Sequence, residues 1–275
     1  MNIYIYIYHI YHIYIMSFEN YGLNKSLVWI TIINHGYIEY TKNFLISMNL
    51  LKINFKLIVY CIDDASYEEL KSHNNCICIK ADFLKYKLPS DLKVWMNIDY
   101  KRITFAKLDA ILYTLKNTYD LGIENVGYID TDIVLFSDPT QKILDIMNEN
   151  KNINIFAQCD EGYFKQCTNP LNCRIVCSGV IVFRNNKELY NIFNYKDKDV
   201  FAHSSDQSYL QSVLNNRKIP FLTVPRNMFP NGSYYSDLKN KEIEFEESNI
   251  LIHFNYMVGH EKKQSMKLQR LWFIG

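Results

Sequence analysis

Two aspartates, Asp130 and Asp132, form the motif with the clearest chemistry in this sequence. They flank Thr131 in a D-x-D arrangement, where an apolar strand predicted within 124–136 meets them. At a strand end two such carboxylates can converge on one divalent ion, and Mg²⁺ and Mn²⁺ bind carboxylate and phosphate oxygens together. Such an ion assists the departure of a diphosphate as a Lewis acid. The motif therefore predicts a metal site, although a solvated turn at a strand end would also accommodate it.

A second candidate lies near the carboxyl terminus, where His253 follows a short apolar run. Its neutral imidazole could supply a third metal ligand. Gly259 could let the backbone approach a phosphate, and Lys262, three residues later, could neutralise a pyrophosphate. A lone histidine at a strand end is more often a hydrogen-bonded rim residue, so this interpretation depends on the G-x-x-K pattern that follows it.

Two further motifs combine small and polar side chains. Asp206 and Gln207 come directly after Ser205 at a predicted helix start, where a carboxylate and an amide could hold a sugar. Plain N-capping would also explain the serine and the aspartate, but it explains the glutamine poorly. Ser178 and Gly179 precede an apolar strand, so they predict either a close approach of ligand to backbone or a tight turn.

Alternating strands and helices over roughly the first 150 residues must position these side chains. The apolar periodicity predicts strands at 27–34, 55–63, 76–82 and 124–136, and helices at 40–51, 65–73, 102–122 and 137–150. This alternation predicts an α/β fold whose mostly parallel sheet carries helices on both faces. Ligands bind such sheets beyond the carboxyl ends of the strands. The loop 34–37, Asp63 and the D-x-D motif should therefore share one rim, where Tyr37 could stack on a base.

The second half is less regular and shows no linker or change in composition. It predicts strands at 152–160, 174–185, 221–225 and 249–255 and a helix at 203–216. We therefore predict a single domain over 27–275. Neither G-x-G-x-x-G nor G-x-x-x-x-G-K-[ST] occurs in the sequence, which argues against a dinucleotide-binding Rossmann domain and a P-loop nucleotidase.

The overall composition excludes several classes of function. The 275 residues carry a net charge of +1, which argues against a protein held non-specifically on nucleic acid or on an anionic membrane. The seven cysteines are odd in number and include no C-x-x-C pair, so a structural zinc site is not expected. Reduced, mostly buried thiols are predicted, with a disulfide among the last four in an oxidising compartment.

The first 26 residues form a predicted low-complexity tail, beginning with an alternation of isoleucine and tyrosine over 1–16. It lacks the positive start and the cleavage site of a secretory signal. Three alternatives remain for this tail: translated repeat DNA preceding a start at Met16, a disordered or loosely docked tail, and a degenerate membrane anchor. We expect no integral membrane span and a location in the cytoplasm. If the tail is an anchor, the protein would instead lie in a secretory or Golgi lumen.

Taken in order, these motifs resemble the metal-dependent GT-A glycosyltransferases. Over 27–273 the chain looks closest to the nucleotide-diphospho-sugar transferases of glycosyltransferase family 77, and more distantly like the glycogenin type of family 8. The resemblance is carried by Asn34 to Leu51, Phe105 to Leu108, Asp130 and Asp132, Cys177 to Phe183, Asp206 and Gln207, Phe229 to Gly232, and His253, Asn255, Gly259 and Lys262. Two departures are Cys177, where the pattern has asparagine, and three extra residues between His253 and Gly259.

The resemblance implies a GT-A type, Rossmann-like fold and a retaining transferase. It would move a sugar from a UDP-sugar, with Mn²⁺ or Mg²⁺, to an unidentified hydroxyl acceptor. By the same resemblance the metal ligands would be Asp130, Asp132 and His253, and the catalytic residues Asp206 and Gln207. The nucleotide- and donor-binding residues would be Thr31, Asn34, Gly36, Tyr37, Asp63, Lys107, Asp130, Thr131, Ser178, Gly179, Gly259 and Lys262.

Two alternatives to a glycosyltransferase remain open from the sequence. A nucleotidyltransferase or sugar-nucleotide pyrophosphorylase also uses a D-x-D-like metal site on an α/β sheet. Such enzymes usually begin with a Gly-rich loop containing lysine or arginine, and here the first loop is Asn-His-Gly-Tyr. A catalytically inactive GT-A scaffold is disfavoured by the intact aspartates and His253, but Cys177 keeps it open because a thiol replaces an amide poorly.

Overall fold

The computed structural model describes residues 18, 21–93, 97–160, 174–232, 249–257 and 259–274. Most of the predicted tail over 1–26 therefore lies outside the described residues. The strands are β1 (Val28–Ile33), β2 (Leu57–Cys61), β3 (Cys76–Lys80), β4 (Asn125–Ile129), β5 (Ile133–Leu135), β6 (Ile155–Cys159), β7 (Val176–Arg184), β8 (Leu222–Thr223) and β9 (Leu251–His253).

The α-helices follow most of the predicted segments. They are α1 (Ile38–Leu50), α2 (Asp64–Leu70), α3 (Ile98–Tyr119), α4 (Pro139–Glu149), α5 (Asp197–Ala202), α6 (Asp206–Asn216) and α7 (His260–Leu268), and 3-10 helices cover His35–Tyr37 and Lys187–Phe193. Helix α3 begins earlier than predicted, because the side chain of Asn97 accepts a hydrogen bond from the Asp99 N–H and so caps it. Asp138 caps α4 directly before Pro139, which occupies the first turn of the helix.

The main sheet has seven strands in the order β3-β2-β1-β4-β7-β6-β8. All neighbouring strands are parallel except for the two pairs that β7 makes, with β4 and with β6. Strands β2 and β4 are buried along their whole length, as expected for strands covered on both faces. The predicted α/β fold with a mostly parallel sheet is therefore confirmed, and β7 supplies its antiparallel element.

Helices pack on both faces of the sheet. On one face Phe105 and Leu108 of α3 pack against Ile30 and Ile58 of the sheet. On the other face, side chains of α1 and α4 pack against alternate positions of the same strands, Trp29 and Val59 among them. Because successive strand residues point to opposite faces, the continuous apolar runs of β1 and β2 serve both layers.

The prediction of one strand within 124–136 is wrong in a way that matters for the site. The chain leaves the main sheet after β4, turns through Asp130 to Asp132, and then enters β5. Strand β5 pairs antiparallel with β9, and Ile133 lies opposite His253. A hydrogen bond from the Phe254 N–H to the Asp132 carbonyl, 2.9 Å long, extends this pairing toward the aspartates. The separate two-stranded sheet thereby carries the distant histidine to the D-x-D turn.

The cysteines differ in their bonding. Cys61, Cys76, Cys78 and Cys177 are free, whereas Cys159 at the end of β6 is disulfide-bonded. Within the described part of the chain, no helix combines the length and the apolar character needed to cross a membrane.

Candidate active site

A cavity of about 560 Å³ opens beyond the carboxyl ends of β1, β4 and β6 and the start of the antiparallel β7. This volume is within the usual range of ligand pockets, roughly 300–1,000 Å³. Most of the residues that the sequence singles out line it: Asn34, Tyr37, Lys107, Asp130, Thr131, Asp132, Ser178, Gly179, Asp206, Gln207, His253, Gly259 and Lys262. The strand ends thus bring together groups that are up to 228 residues apart, as from Asn34 to Lys262.

Asp130, Asp132 and His253 form a compact triad of possible metal ligands, here called the metal triad. One ligand atom from each lies within 4.8 Å of the other two. His253 Nε2 is 3.2 Å from Asp132 Oδ1 and 3.7 Å from Asp130 Oδ2. Two carboxylate oxygens and one imidazole nitrogen are a donor set that suits Mn²⁺ better than Mg²⁺, which prefers oxygen ligands alone. The residues present therefore fit the metal that the sequence predicts.

Two buried lysines flank the metal triad and pair with its aspartates. Lys262 Nζ hydrogen-bonds Asp132 Oδ2. Burial would raise the pKa of Asp132, but Lys262 and His253 outweigh it and hold that pKa far below its usual range. Lys107 Nζ is 3.2 Å from Asp130 Oδ1 and 3.6 Å from Asp206 Oδ2. Burial would lower the pKa of Lys107, yet these two carboxylates raise it well above the ordinary value.

Two glycines of the site are required for different reasons. A Cβ on Gly179 would lie 2.1 Å from His253 Cε1 and 2.7 Å from Asp130 Oδ2, so only glycine lets β7 pass directly under the metal triad. Gly259 precedes α7 with φ 53° and ψ −126°, a conformation that residues with side chains rarely adopt. Its carbonyl accepts a hydrogen bond of 2.9 Å from the Tyr40 hydroxyl, which fixes the start of the helix that carries Lys262.

Asp206 and Gln207 occupy the first turn of α6, and Ser205 caps the helix through its side chain. Burial raises the pKa of Asp206, and the nearby Lys107 opposes that effect. Gln207 accepts a hydrogen bond from the Ser178 N–H at 3.2 Å and donates one to Asp160 Oδ2 at 2.7 Å. Capping therefore accounts for Ser205, while Gln207 links the helix to the wall of the cavity.

Asp160 is a site residue that the sequence analysis missed. It follows β6, lines the cavity, and accepts hydrogen bonds from Gln207 and, at 3.2 Å, from the Asn255 amide. Burial raises the pKa of this carboxyl. A signal was available, because a carboxylate at the end of a predicted strand is the same feature that singled out Asp130.

Three of the predicted nucleotide-binding residues are not among those that line the cavity: Thr31, Gly36 and Asp63. Thr31 is buried within the sheet. A Cβ on Gly36 would lie 2.4 Å from the Leu92 backbone nitrogen, so Gly36 serves close packing of the neighbouring loop. Asp63 caps α2 and accepts a hydrogen bond of 2.8 Å from the His35 N–H. Gly36 and Asp63 therefore shape the loops beside the cavity, and Thr31 belongs to the sheet.

Asn34 and Tyr37 do reach the cavity, in different ways. The amide of Asn34 donates to the carbonyls of Pro89 and Asp91 at 3.0 and 2.9 Å, so it holds the 89–92 segment against the end of β1. Burial raises the pKa of the Tyr37 hydroxyl, which also feels the charges of Lys262 and Asp132. The phenol of Tyr37 therefore lies close to the charged part of the site.

Cys177, which departs from the family pattern, lies under the metal triad. Its Sγ is 3.6 Å from His253 Nδ1 and accepts a hydrogen bond of 3.6 Å from the Asn255 amide. Burial raises the pKa of the thiol well above its usual value, so it is neutral here.

Comparison with known proteins agrees with this geometry. The sequence model of the family described as nucleotide-diphospho-sugar transferase matches residues 53–268. No curated protein matches this chain.

Solved structures show the same fold at low sequence identity. The apo structure of the bifunctional glycosyltransferase WbbM is 15% identical with a TM-score of 0.54, over 86% of this chain and 47% of that one. This chain thus spans about half the length of WbbM. Apo mouse xyloside xylosyltransferase 1 is 14% identical with a TM-score of 0.52, over 84% of this chain and 98% of that one. An active-site mutant of LgtC is 11% identical with a TM-score of 0.50, over 90% of this chain and 96% of that one.

The family assignment and the geometry point the same way, because the matched region contains the D-x-D turn, Lys107, Asp206, His253 and Lys262. The match covers well over half of the chain. The chain therefore belongs to the nucleotide-diphospho-sugar transferase family and has the GT-A fold.

Proposed function

We propose that this protein is a metal-dependent, retaining glycosyltransferase that uses a UDP-sugar and Mn²⁺. The observation that carries the proposal is the convergence of Asp130, Asp132 and His253 within 4.8 Å on the wall of the 560 Å³ cavity. A bound divalent ion would act there as a Lewis acid and stabilise the charge that develops on the departing diphosphate. The acceptor is an unidentified molecule with a free hydroxyl group.

The charges around the metal triad suit a metal–diphosphate complex. The ammonium groups of Lys107 and Lys262 pair with the two triad carboxylates, and Lys107 is shared with Asp206. A divalent ion would bring two positive charges, which match the two negative charges of a sugar-linked diphosphate. Lys262 lines the cavity beside Asp132, where its ammonium group could also stabilise the diphosphate as a leaving group.

Asp206 and Gln207 are the proposed catalytic residues, and both line the cavity. Asp206 faces Lys107, and Gln207 is held by Ser178 and Asp160. These fixed bonds suit a carboxylate and an amide that position the donor sugar and stabilise positive charge at the reacting carbon. For retention, a phosphate oxygen of the leaving group would take the proton of the acceptor hydroxyl, without a covalent enzyme intermediate.

The direct test is donor hydrolysis and transfer across a panel of UDP- and GDP-sugars, with Mn²⁺ or with EDTA. We expect turnover with at least one UDP-sugar in Mn²⁺, its loss in EDTA, and its loss in Asp132→Ala. In a thermal-shift assay UDP should raise the melting temperature only when Mn²⁺ is present, because a ligand that binds the folded state stabilises it. Metal-independent turnover would contradict the proposed metal requirement. No turnover with any donor would contradict the proposed transferase and favour a nucleotide-sugar-binding scaffold.

A further inference from the structure

We propose that Gln158 is a positioning residue for His253. Its side chain fixes the imidazole in the tautomer that can bind a metal. This inference rests on the proposed metal-dependent function. Gln158 belongs to none of the sequence motifs that predict the site, and its side chain is buried beneath the cavity lining. Its role follows from the hydrogen bonds on the two ends of its amide.

Gln158 reaches His253 because the ladder between β6 and β7 is irregular at this point. Ala157 is paired with Ile181, but the next residue, Gln158, is paired with Cys177. The skipped residues of β7 include Ser178 and Gly179, which line the cavity. Irregularities of this kind re-aim side chains beside active sites. Here the amide of Gln158 contacts the imidazole on the side opposite to the aspartates.

The orientation of the amide is determined by a backbone carbonyl. Gln158 Nε2 donates to the Phe229 carbonyl oxygen at 2.9 Å. A carbonyl oxygen can only accept, so the NH₂ end of the amide must face Phe229. The other end, Oε1, then faces His253 Nδ1 at 2.9 Å. Because Oε1 is itself an acceptor, the proton of the neutral imidazole must be on Nδ1.

With the proton on Nδ1, the Nε2 lone pair of His253 points toward the aspartates. Nε2 is 3.2 Å from Asp132 Oδ1, so three acceptor atoms surround one point, an arrangement that a cation stabilises. If Gln158 did not accept from Nδ1, the proton could move to Nε2 and be donated to Asp132. That tautomer would satisfy the histidine and the aspartate without a metal, and it would block the metal site.

The test compares Gln158→Met, which removes the acceptor, with Gln158→Glu. A glutamate side chain has nearly the same shape and keeps an acceptor oxygen toward Nδ1, so it retains the bond that fixes the tautomer. Mn²⁺ affinity is measured from the electron paramagnetic resonance signal of free Mn²⁺ in the absence of nucleotide. We expect Gln158→Met to bind Mn²⁺ about 10- to 100-fold more weakly and Gln158→Glu to stay within about threefold of wild type.

A matched control is Gln211→Met. Gln211 lies on α6, and its Oε1 accepts a hydrogen bond of 2.9 Å from the Val176 N–H of β7, without contact to the metal triad. It should keep wild-type Mn²⁺ affinity. A second readout is the ¹H–¹⁵N spectrum of the histidine rings of the metal-free protein. Wild type should show His253 with a protonated Nδ1 and an unprotonated Nε2.

Wild-type Mn²⁺ affinity in Gln158→Met, or a proton on Nε2 of His253 in the wild-type spectrum, would overturn this inference and leave the proposed function standing. A wild-type protein that binds no Mn²⁺ would overturn the proposed function and this inference together. Weaker Mn²⁺ binding by both Gln158→Met and Gln158→Glu would assign Gln158 a merely structural role and also overturn the inference.

Discussion

Two clusters of reactive side chains differ in their surroundings, and only one of them has the features of a site. The metal triad joins Asp130 and Asp132 to His253, which is more than 120 residues away in sequence. The second cluster, here called the thiol row, consists of Cys61 on β2 and Cys76 and Cys78 on β3. Cys76 Sγ and Cys78 Sγ are 3.5 Å apart, and a hydrogen bond with Cys78 lowers the pKa of Cys76.

The difference between the clusters lies in what surrounds them. The metal triad lines the large cavity and is flanked by two buried lysines that balance its charge. The thiol row does not line that cavity, and Cys61 and Cys76 pack into the apolar layer on one face of the sheet. Proximity of reactive groups is therefore not sufficient. A site also needs access for a ligand, charge that a ligand can balance, and hydrogen bonds that orient its members.

The largest effect is expected from His253→Ala, which removes the only member of the metal triad supplied by β9. Turnover in saturating donor should fall at least about 100-fold, since the metal contribution to leaving-group departure amounts to several kcal/mol. Steady-state assays over a range of Mn²⁺ concentrations check this. If the variant is folded by circular dichroism and retains wild-type turnover, then the two aspartates are sufficient to hold the metal without His253.

A smaller effect is expected from Gly179→Ala, which places a methyl group against His253 and Asp130. Mn²⁺ affinity should fall about 10-fold or more, and overpacking should lower the free energy of unfolding by about 1–3 kcal/mol. The control is Gly122→Ala, at φ 71° with no atom within 4 Å of the added Cβ. It should cost about 1 kcal/mol of stability through backbone strain alone, with unchanged Mn²⁺ affinity. Equal affinities in the two variants would contradict the close approach.

Lys262→Met is expected to change Mn²⁺ affinity in the opposite direction, toward tighter binding. The Lys262 ammonium pairs with Asp132 and so competes with a cation for that carboxylate. Without nucleotide, the variant should bind Mn²⁺ roughly 10-fold more tightly, while its turnover falls because the diphosphate loses a positive partner. Calorimetric titration with Mn²⁺ measures the first change. Lys263→Met is the matched control, since Lys263 pairs with Glu39 and does not line the cavity. Weaker Mn²⁺ binding by Lys262→Met would refute the proposed competition between the Lys262 ammonium and Mn²⁺ for Asp132.

The smallest effect is expected in the thiol row. Cys78→Ser replaces a partly exposed thiol with a hydroxyl of similar shape. It should leave Mn²⁺ affinity and turnover within about twofold of wild type and change the free energy of unfolding by about 1 kcal/mol or less. Parallel titrations and urea melts measure these quantities. A loss of turnover comparable to that of His253→Ala would mean that the thiol row contributes to function after all.

Much of the site was predictable because its parts follow strands. Asp130, Asp132 and His253 were identified from carboxylates and an imidazole beside apolar runs, and all three line the cavity. Asp63 satisfies the same pattern at the end of β2, yet its carboxylate caps α2 and binds the His35 N–H. Sequence position gives the rim on which a side chain lies, but local hydrogen bonds decide whether it turns into the cavity.

The sequence alone determined the alternation of strands and helices, since apolar periodicity and capping residues act over a few positions and need no distant partner. Only the tertiary structure decided that the predicted strand over 124–136 divides at the aspartates, because β5 needs β9 as its pairing partner. It also decided that Gln158 meets His253, which depends on a register shift between β6 and β7. Pairing register and buried hydrogen bonds arise between segments far apart in the chain, so local patterns cannot specify them.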